Sequence, residues 1–207
     1  FGDRGEAAFL HATRYYGEQR GRRMAQRAIR DGKPLTYETY CQYGEWVNTE
    51  EVKAQGLGNQ SETTSLSPDF QIHIHVCPWH TQFKNMGLPE AGLLYCKDLD
   101  ASISRGFNPD IRYEVPQTLH THDHCVQIVR NAGLTPEKKI EKYMPGVRSF
   151  EYHCAHTFWS LREVSEGIFG DEGVKASDAV LEDFAKEYGR EMADTIADYK
   201  DTNFNMA

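Results

Sequence analysis

Two short stretches concentrate side chains that could do chemistry. FQIHIHVCPWH, residues 70–80, holds His73, His75, Cys77 and His80, and LHTHDHC, residues 119–125, holds His120, His122, Asp123, His124 and Cys125. Imidazoles beside thiols suit two kinds of reaction. A thiolate with an adjacent base can attack a trigonal carbon. Alternatively, paired His and Cys side chains can hold zinc or manganese, which activates a water. Cys77 precedes Pro78 at what reads as a helix start, where free backbone N–H groups and the helix dipole favour a thiolate and a developing anion. With His75 two residues before it and His80 three after, Cys77 is a candidate nucleophile, and Cys125 is its rival. For the metal reading the candidate ligands are His75, His80, His122 and His124. The HTHDH spacing misses the His-x-His-x-Asp-His pattern of binuclear metallohydrolases by one residue, and a (β/α)₈ barrel typically needs about 250 residues. A His-x-His alternation can also be nothing more than the solvent face of a sheet.

The elements that must position these groups follow from hydrophobic periodicity. FQIHIHV alternates strictly, so Phe70, Ile72, Ile74 and Val76 are expected to face a core, with His73, His75 and Cys77 opposite. If Val126 and Ile128 turn to the same core, Asp123, Cys125 and Gln127 join the His73/His75/Cys77 face, and two thiols there imply that something covers it. PDIRYEVPQ and HDHCVQIVR read as two further strands, with Ile111, Tyr113 and Val115 as a core-facing set. Helical spacing runs from about Gly5 to Arg30 through Phe9, Ala12, Tyr16, Met24, Ala28 and Ile29, and ends at Asp31-Gly32. PEAGLLYCKDLDASISRGF reads as a helix, and KPLTYETYCQYGEWV as a short one or a crossing segment. Thr135-Pro136-Glu137 looks like a helix start. SFEYHCAHTFWSLREVSEGIFG carries an apolar stripe of Phe150, Cys154, Phe158, Leu161 and Ile168, with His153 and His156 on another face placed to cap a pocket. A last helix is expected from an N-cap at Ser177. Residues 54–69 read as an exposed flexible loop. The class is α+β: one domain over residues 1–207, with a small antiparallel sheet flanked by long N- and C-terminal amphipathic helices.

Composition narrows the function. A net charge of −8 over 207 residues argues against a nucleic-acid partner, and the basic cluster Arg20, Arg22, Arg23, Arg27, Arg30 reads as a solvated helix face. No apolar run reaches the length of a membrane span. Five cysteines, an odd count at irregular spacing, suit reduced thiols and a cytoplasmic location. The chain opens on Phe1, so a short preceding segment is expected. A homo-oligomer is left open.

CPWHTQFKNMGLPEAGLLYCKDLDASISRGFNPDIRYEVPQTL, residues 77–119, with Cys125 in the next strand, resembles the L-2-amino-thiazoline-4-carboxylic acid hydrolase family. The positions that carry the likeness are Cys77, Pro78, Cys96, Asp100, Phe107, Asn108, Pro109, Thr118, Leu119, Asp123 and Cys125. YYGEQRGRRMAQRAIRDGKPLT resembles that family's first helix. The chain departs from the family where HTHDHC replaces a Gly-Asp before the strand cysteine. The resemblance implies hydrolytic opening of a small cyclic amidine or amide at its trigonal carbon, as when an aminothiazoline acid becomes an N-carbamoyl amino acid. Such a reaction, on a C–N bond, needs a nucleophile, an acid to protonate the departing nitrogen and donors for the tetrahedral intermediate. The expected set is Cys77 as nucleophile, His75 or His124 as acid/base and Asp123 orienting an imidazole, with Cys125 in the pocket. His73, His80, His122, Asn108, His153 and His156 are expected to contact substrate, and no cofactor is expected on this reading. The metal mechanism competes with it, and a small-molecule sensor without catalysis is the reading of another class.

Overall fold

The alternating FQIHIHV segment is the second strand of a four-stranded sheet. The computed structural model describes residues 1–137 and 139–207. Along the chain run α1 (Gly2–Arg30), α2 (Tyr37–Tyr43), α3 (Glu50–Ala54), β1 (Gln60–Ser65), β2 (Phe70–Val76), α4 (Pro78–Asn85), α5 (Pro89–Phe107), β3 (Tyr113–Gln117), β4 (Cys125–Val129), α6 (Phe150–Phe169), α7 (Asp171–Tyr188) and α8 (Arg190–Ala197). Strand order is β1-β2-β4-β3, and every neighbouring pair is antiparallel. Long helices precede and follow this sheet, as the α+β expectation has it.

Register decides which residues share a face. Phe70, Ile72 and Ile74 of β2 lie opposite Val129, Gln127 and Cys125 of β4, while His73 faces Val126 and Gln71 faces Ile128. Opposed residues of an antiparallel pair point the same way. Cys125 and Gln127 therefore lie on the inner face with Ile72 and Ile74, and Val126 and Ile128 on the outer face with His73. This reverses the expected phase of β4.

The inner face is roofed by helices. α1 and α5 cross closely because glycines remove the side chains between them: a Cβ on Gly21 would fall 2.1 Å from the Ile103 carbonyl oxygen, and one on Gly106 2.3 Å from that of Glu18. The core they enclose holds Tyr16, Met24, Ala28, Tyr43, Tyr95, Leu99, Ile103 and Phe107. A second cluster, Ala155, Ile196 and Phe204, ties α6 to the C-terminal residues.

Four further expectations need correction. Residues 54–69 are no featureless loop, since β1 pairs there with β2. Thr135-Pro136-Glu137 begins a turn, and among the described residues no helix forms before the short 3-10 segment at Met144–Gly146. The helix expected from Ser177 starts earlier, at Asp171 after Gly170, and Gly189, with φ of 101°, breaks it into α7 and α8. The basic cluster divides: Arg23 and Arg27 are buried against Glu45, and Arg20 is buried beside them, so these three are not a solvated face.

Candidate active site

The inner face of the sheet, α5, α1 and the loops at their ends enclose a cavity of about 320 Å³. From β2 and β4 come Ile72, Ile74, Cys125 and Gln127, and from α5 come Tyr95, Cys96, Leu99, Asp100 and Ile103. The α5 residues fall at i, i+3 and i+4, so one helix face is turned to the cavity, and the Cys-x-x-x-Asp spacing places Cys96 and Asp100 on it together. α1 adds Arg20 and Met24, the start of α4 adds Cys77, Trp79 and His80, and the loop before β4 adds Thr118, Leu119 and His120. Lys142 reaches in from the segment that follows the sheet.

Four thiols, Cys41, Cys77, Cys96 and Cys125, and two carboxylates, Glu45 and Asp100, line the cavity. Burial raises Cys77, Cys96 and Cys125 above an ordinary thiol, Cys125 to about 12, and the charge of Asp100 adds to each rise. Cys77 differs from the other two. It caps α4 ahead of Pro78 without a side-chain capping hydrogen bond, and the polarity of the backbone N–H groups of His80 and Trp79 offsets part of the burial. Burial also raises Asp100, while the charge of Arg20 and a hydrogen bond from Gln127 pull it down. That bond, Gln127 Nε2 to Asp100 Oδ2 at 2.7 Å, is held in line by Tyr113, whose hydroxyl donates to Gln127 Oε1 at 2.5 Å. All five cysteines are free.

The cavity imidazoles are His80 and His120. Their rings sit 4.8 Å apart edge to face, and burial lowers the pKa of both, keeping them neutral near pH 7. Among the described residues neither ring nitrogen of His120 has a hydrogen-bond partner. Its ring fits only because residue 92 is glycine, where a Cβ would come 2.3 Å from His120 Cε1.

The other expected site residues lie elsewhere. His73, His75 and His124 cluster on the outer face, with His124 centred 4.6 Å from His73 and 5.7 Å from His75. His75 Nε2 is 3.3 Å from Glu62, and His124 Nδ1 is 2.6 Å from the exposed Asp123. His122 is exposed and bonds to Thr121. Asn108 caps α5: its Nδ2 donates to the Leu35 carbonyl and its Oδ1 accepts from the Asp110 N–H. His153 and His156 are buried behind the cavity, His153 on the Glu45 carbonyl and His156 between Arg23 and Gln19. The expected metal set is therefore divided among the cavity, the outer face and a loop, and among the described residues no group of three or more His, Cys, Asp or Glu side chains is disposed to hold a metal ion.

Sequence reasoning singled out Cys77, His80 and Cys125, placed Gln127 on the same covered face, and missed Arg20, Lys142 and His120 as cavity residues. Cys96 and Asp100 were visible only as members of the family pattern. For Arg20 a signal existed: Tyr16, Arg20, Arg23 and Arg27 repeat at helical spacing along the stripe that holds the core residues of α1.

Taken together, the fold and site define a class: an α+β protein whose sheet and first helices close over a small, thiol- and carboxylate-lined cavity. Residues 2–128 match the model of the L-2-amino-thiazoline-4-carboxylic acid hydrolase family, and the chain belongs to that family. The matched span takes in every cavity-lining residue but Lys142. The family name denotes a hydrolase. No curated protein and no solved structure matches the chain. Among the described residues no helix is long and apolar enough to cross a membrane.

Proposed function

We propose that the cavity opens a small cyclic amidine or amide by hydrolysis, with Cys77 as the nucleophile. One observation carries this reading: Cys77, Cys96, Asp100, Thr118, Leu119 and Cys125, which are scattered over 49 positions and all belong to the pattern shared with the family, line one cavity. The cavity volume lies at the small end of the range for ligand sites, the size of a single substituted ring.

Cys77 rests as a thiol, so a base must take its proton as it attacks. His75, on the outer face, gives way to the cavity pair His80 and His120, whose neutral imidazoles can accept a proton. The thiolate adds to the trigonal ring carbon, and the N–H groups at the start of α4 favour the negative charge that develops there. The bond from that carbon to the departing ring atom then breaks, and the imidazolium returns its proton to that atom. Water adds to the thio-linked carbon and gives up a proton to the same base. Cys77 leaves as a thiolate, recovers the proton and frees the carbonyl product. Asp100, held by Gln127, faces the reacting carbon's substituents and suits an amidine N–H.

The test is incubation with 2-amino-thiazoline-4-carboxylate and a panel of cyclic amidines, imides and lactams, following ring loss and product mass. Turnover of a member supports the proposal. Binding without turnover of any member supports a sensor instead.

A further inference from the structure

The cavity contains a guanidinium, that of Arg20, in no ion pair among the described residues. Arg20, Arg23 and Arg27 are all buried on one stripe of α1, and Glu45, with no exposed surface, is the carboxylate they share. Its oxygens are taken by the other two. Glu45 Oε1 accepts from Arg23 Nε at 3.0 Å and Arg27 Nη1 at 2.6 Å, and Oε2 accepts from Arg23 Nη2 at 2.6 Å. Arg20 has the Tyr16 hydroxyl, 3.5 Å from Nη1, and its buried Nε has no partner among the described residues. Asp100 lowers the energy of the guanidinium through its field, but no ion pair joins the two, and its Oδ2 is bonded to Gln127. Lys142, half-buried over Gly44 at the same cavity, is likewise in no ion pair among the described residues.

A buried guanidinium with unused donors is costly unless an anion completes it. Its planar fork matches a carboxylate with two parallel hydrogen bonds, which an ammonium cannot reproduce. From this arrangement we infer that Arg20, assisted by Lys142, anchors the carboxylate of a small cyclic acid and so fixes which ring carbon faces Cys77. The inference rests on the ring-opening reading only for that last clause. It makes Arg20 a substrate-binding residue and selects acids over neutral rings of the same shape.

The test separates anchoring from chemistry by using probes without a trigonal ring carbon: thiazolidine-4-carboxylate and its neutral carboxamide, with binding measured calorimetrically. Wild-type protein is expected to bind the acid about 30-fold or more tightly than the amide, the scale of a buried, hydrogen-bonded charge pair. Arg20→Lys and Arg20→Gln are expected to lose most of that preference, and Lys142→Gln a smaller part. Thermal unfolding of each variant checks that it is folded. The acid-to-amide ratio of the wild type needs no variant: a ratio near one, or failure of the acid to bind at millimolar concentration, overturns the inference, as does Arg20→Lys with an unchanged ratio. Cys77→Ser should keep the ratio. A variant that retains it while turnover proves independent of Cys77 would leave the anchor standing and remove the proposed mechanism.

Discussion

Glu45→Gln tests the electrostatic floor on which the site stands. In the folded protein the Glu45 carboxyl meets two opposing influences. Burial raises its pKa, and the Arg23, Arg20 and Arg27 guanidinia more than offset this, holding it at about 2 against an ordinary 4.5. Because the folded value is depressed, the carboxylate contributes stability that is fully present above about pH 4.5 and is lost as pH falls toward 2. At 1.36 kcal/mol per pH unit that contribution is about 3 kcal/mol. An independent route gives a similar figure, since removing one partner of a buried ion pair typically costs about 3–5 kcal/mol by leaving the other charge uncompensated. Urea unfolding at pH 7 should therefore show Glu45→Gln less stable by about 3 kcal/mol, a large share of the stability of a typical domain. Repeating the titration between pH 4.5 and 2 should show the wild type losing that margin and the variant lacking that loss. A variant within about 0.5 kcal/mol of wild type at pH 7, the range of an ordinary surface change, would refute the account of Glu45 as the shared counterion.

Gly21→Ala drives a methyl group into the Ile103 carbonyl and should cost about 1–3 kcal/mol or more in chemical denaturation; unchanged stability would mean that α1 and α5 do not cross this closely. Gly92→Ala pushes on the His120 ring and should lower kcat by about 10-fold or more if a cavity imidazole is the base, with a smaller effect on melting; an unaltered kcat removes His120 from the mechanism. Burial holds His153 near 4 against 6.5 in the unfolded chain and also lowers His156, so the unfolded state binds protons that the folded state refuses, and stability should fall as pH drops from about 6.5 to 4. His153→Asn should flatten that slope in denaturation curves taken across the range, and an unchanged slope would contradict it.

The helices α1, α5 and α6 and the strand β2 were legible because each carries a long or strict period. What failed was the phase of β4. CVQIV is apolar at four of five positions, so its phase rested on Val126 and Ile128 turning to the core, with Gln127 on the opposite face. Here it faces a polar cavity and holds Asp100. The same inversion hid the arginines of α1, whose counterion lies in a segment without readable structure, 18 to 25 residues away in the chain. β1 was missed because QSETTS has no apolar face, and only its pairing with β2 makes it a strand. On α6, Cys154 and Phe158 of the expected apolar stripe pack with Leu181, Phe184 and Ile196, while His156 and Ser160 meet Gln19 of α1. Cys77 was legible from Pro78 and a helix start, both local features. The convergence of Cys96, His120 and Arg20 on it is a product of the tertiary fold.

The central claim is that Cys77 forms a bond to the ring carbon. The most direct measurement is turnover of 2-amino-thiazoline-4-carboxylate by Cys77→Ser beside wild type, with intact-protein mass spectrometry of quenched reactions. The account predicts a kcat lower by a factor of about 10³ or more in the variant, with little change in melting temperature, and a mass adduct on wild-type Cys77 that the variant lacks. A folded Cys77→Ser protein that keeps most of its activity, whether or not Cys125→Ser is inactive, would contradict it.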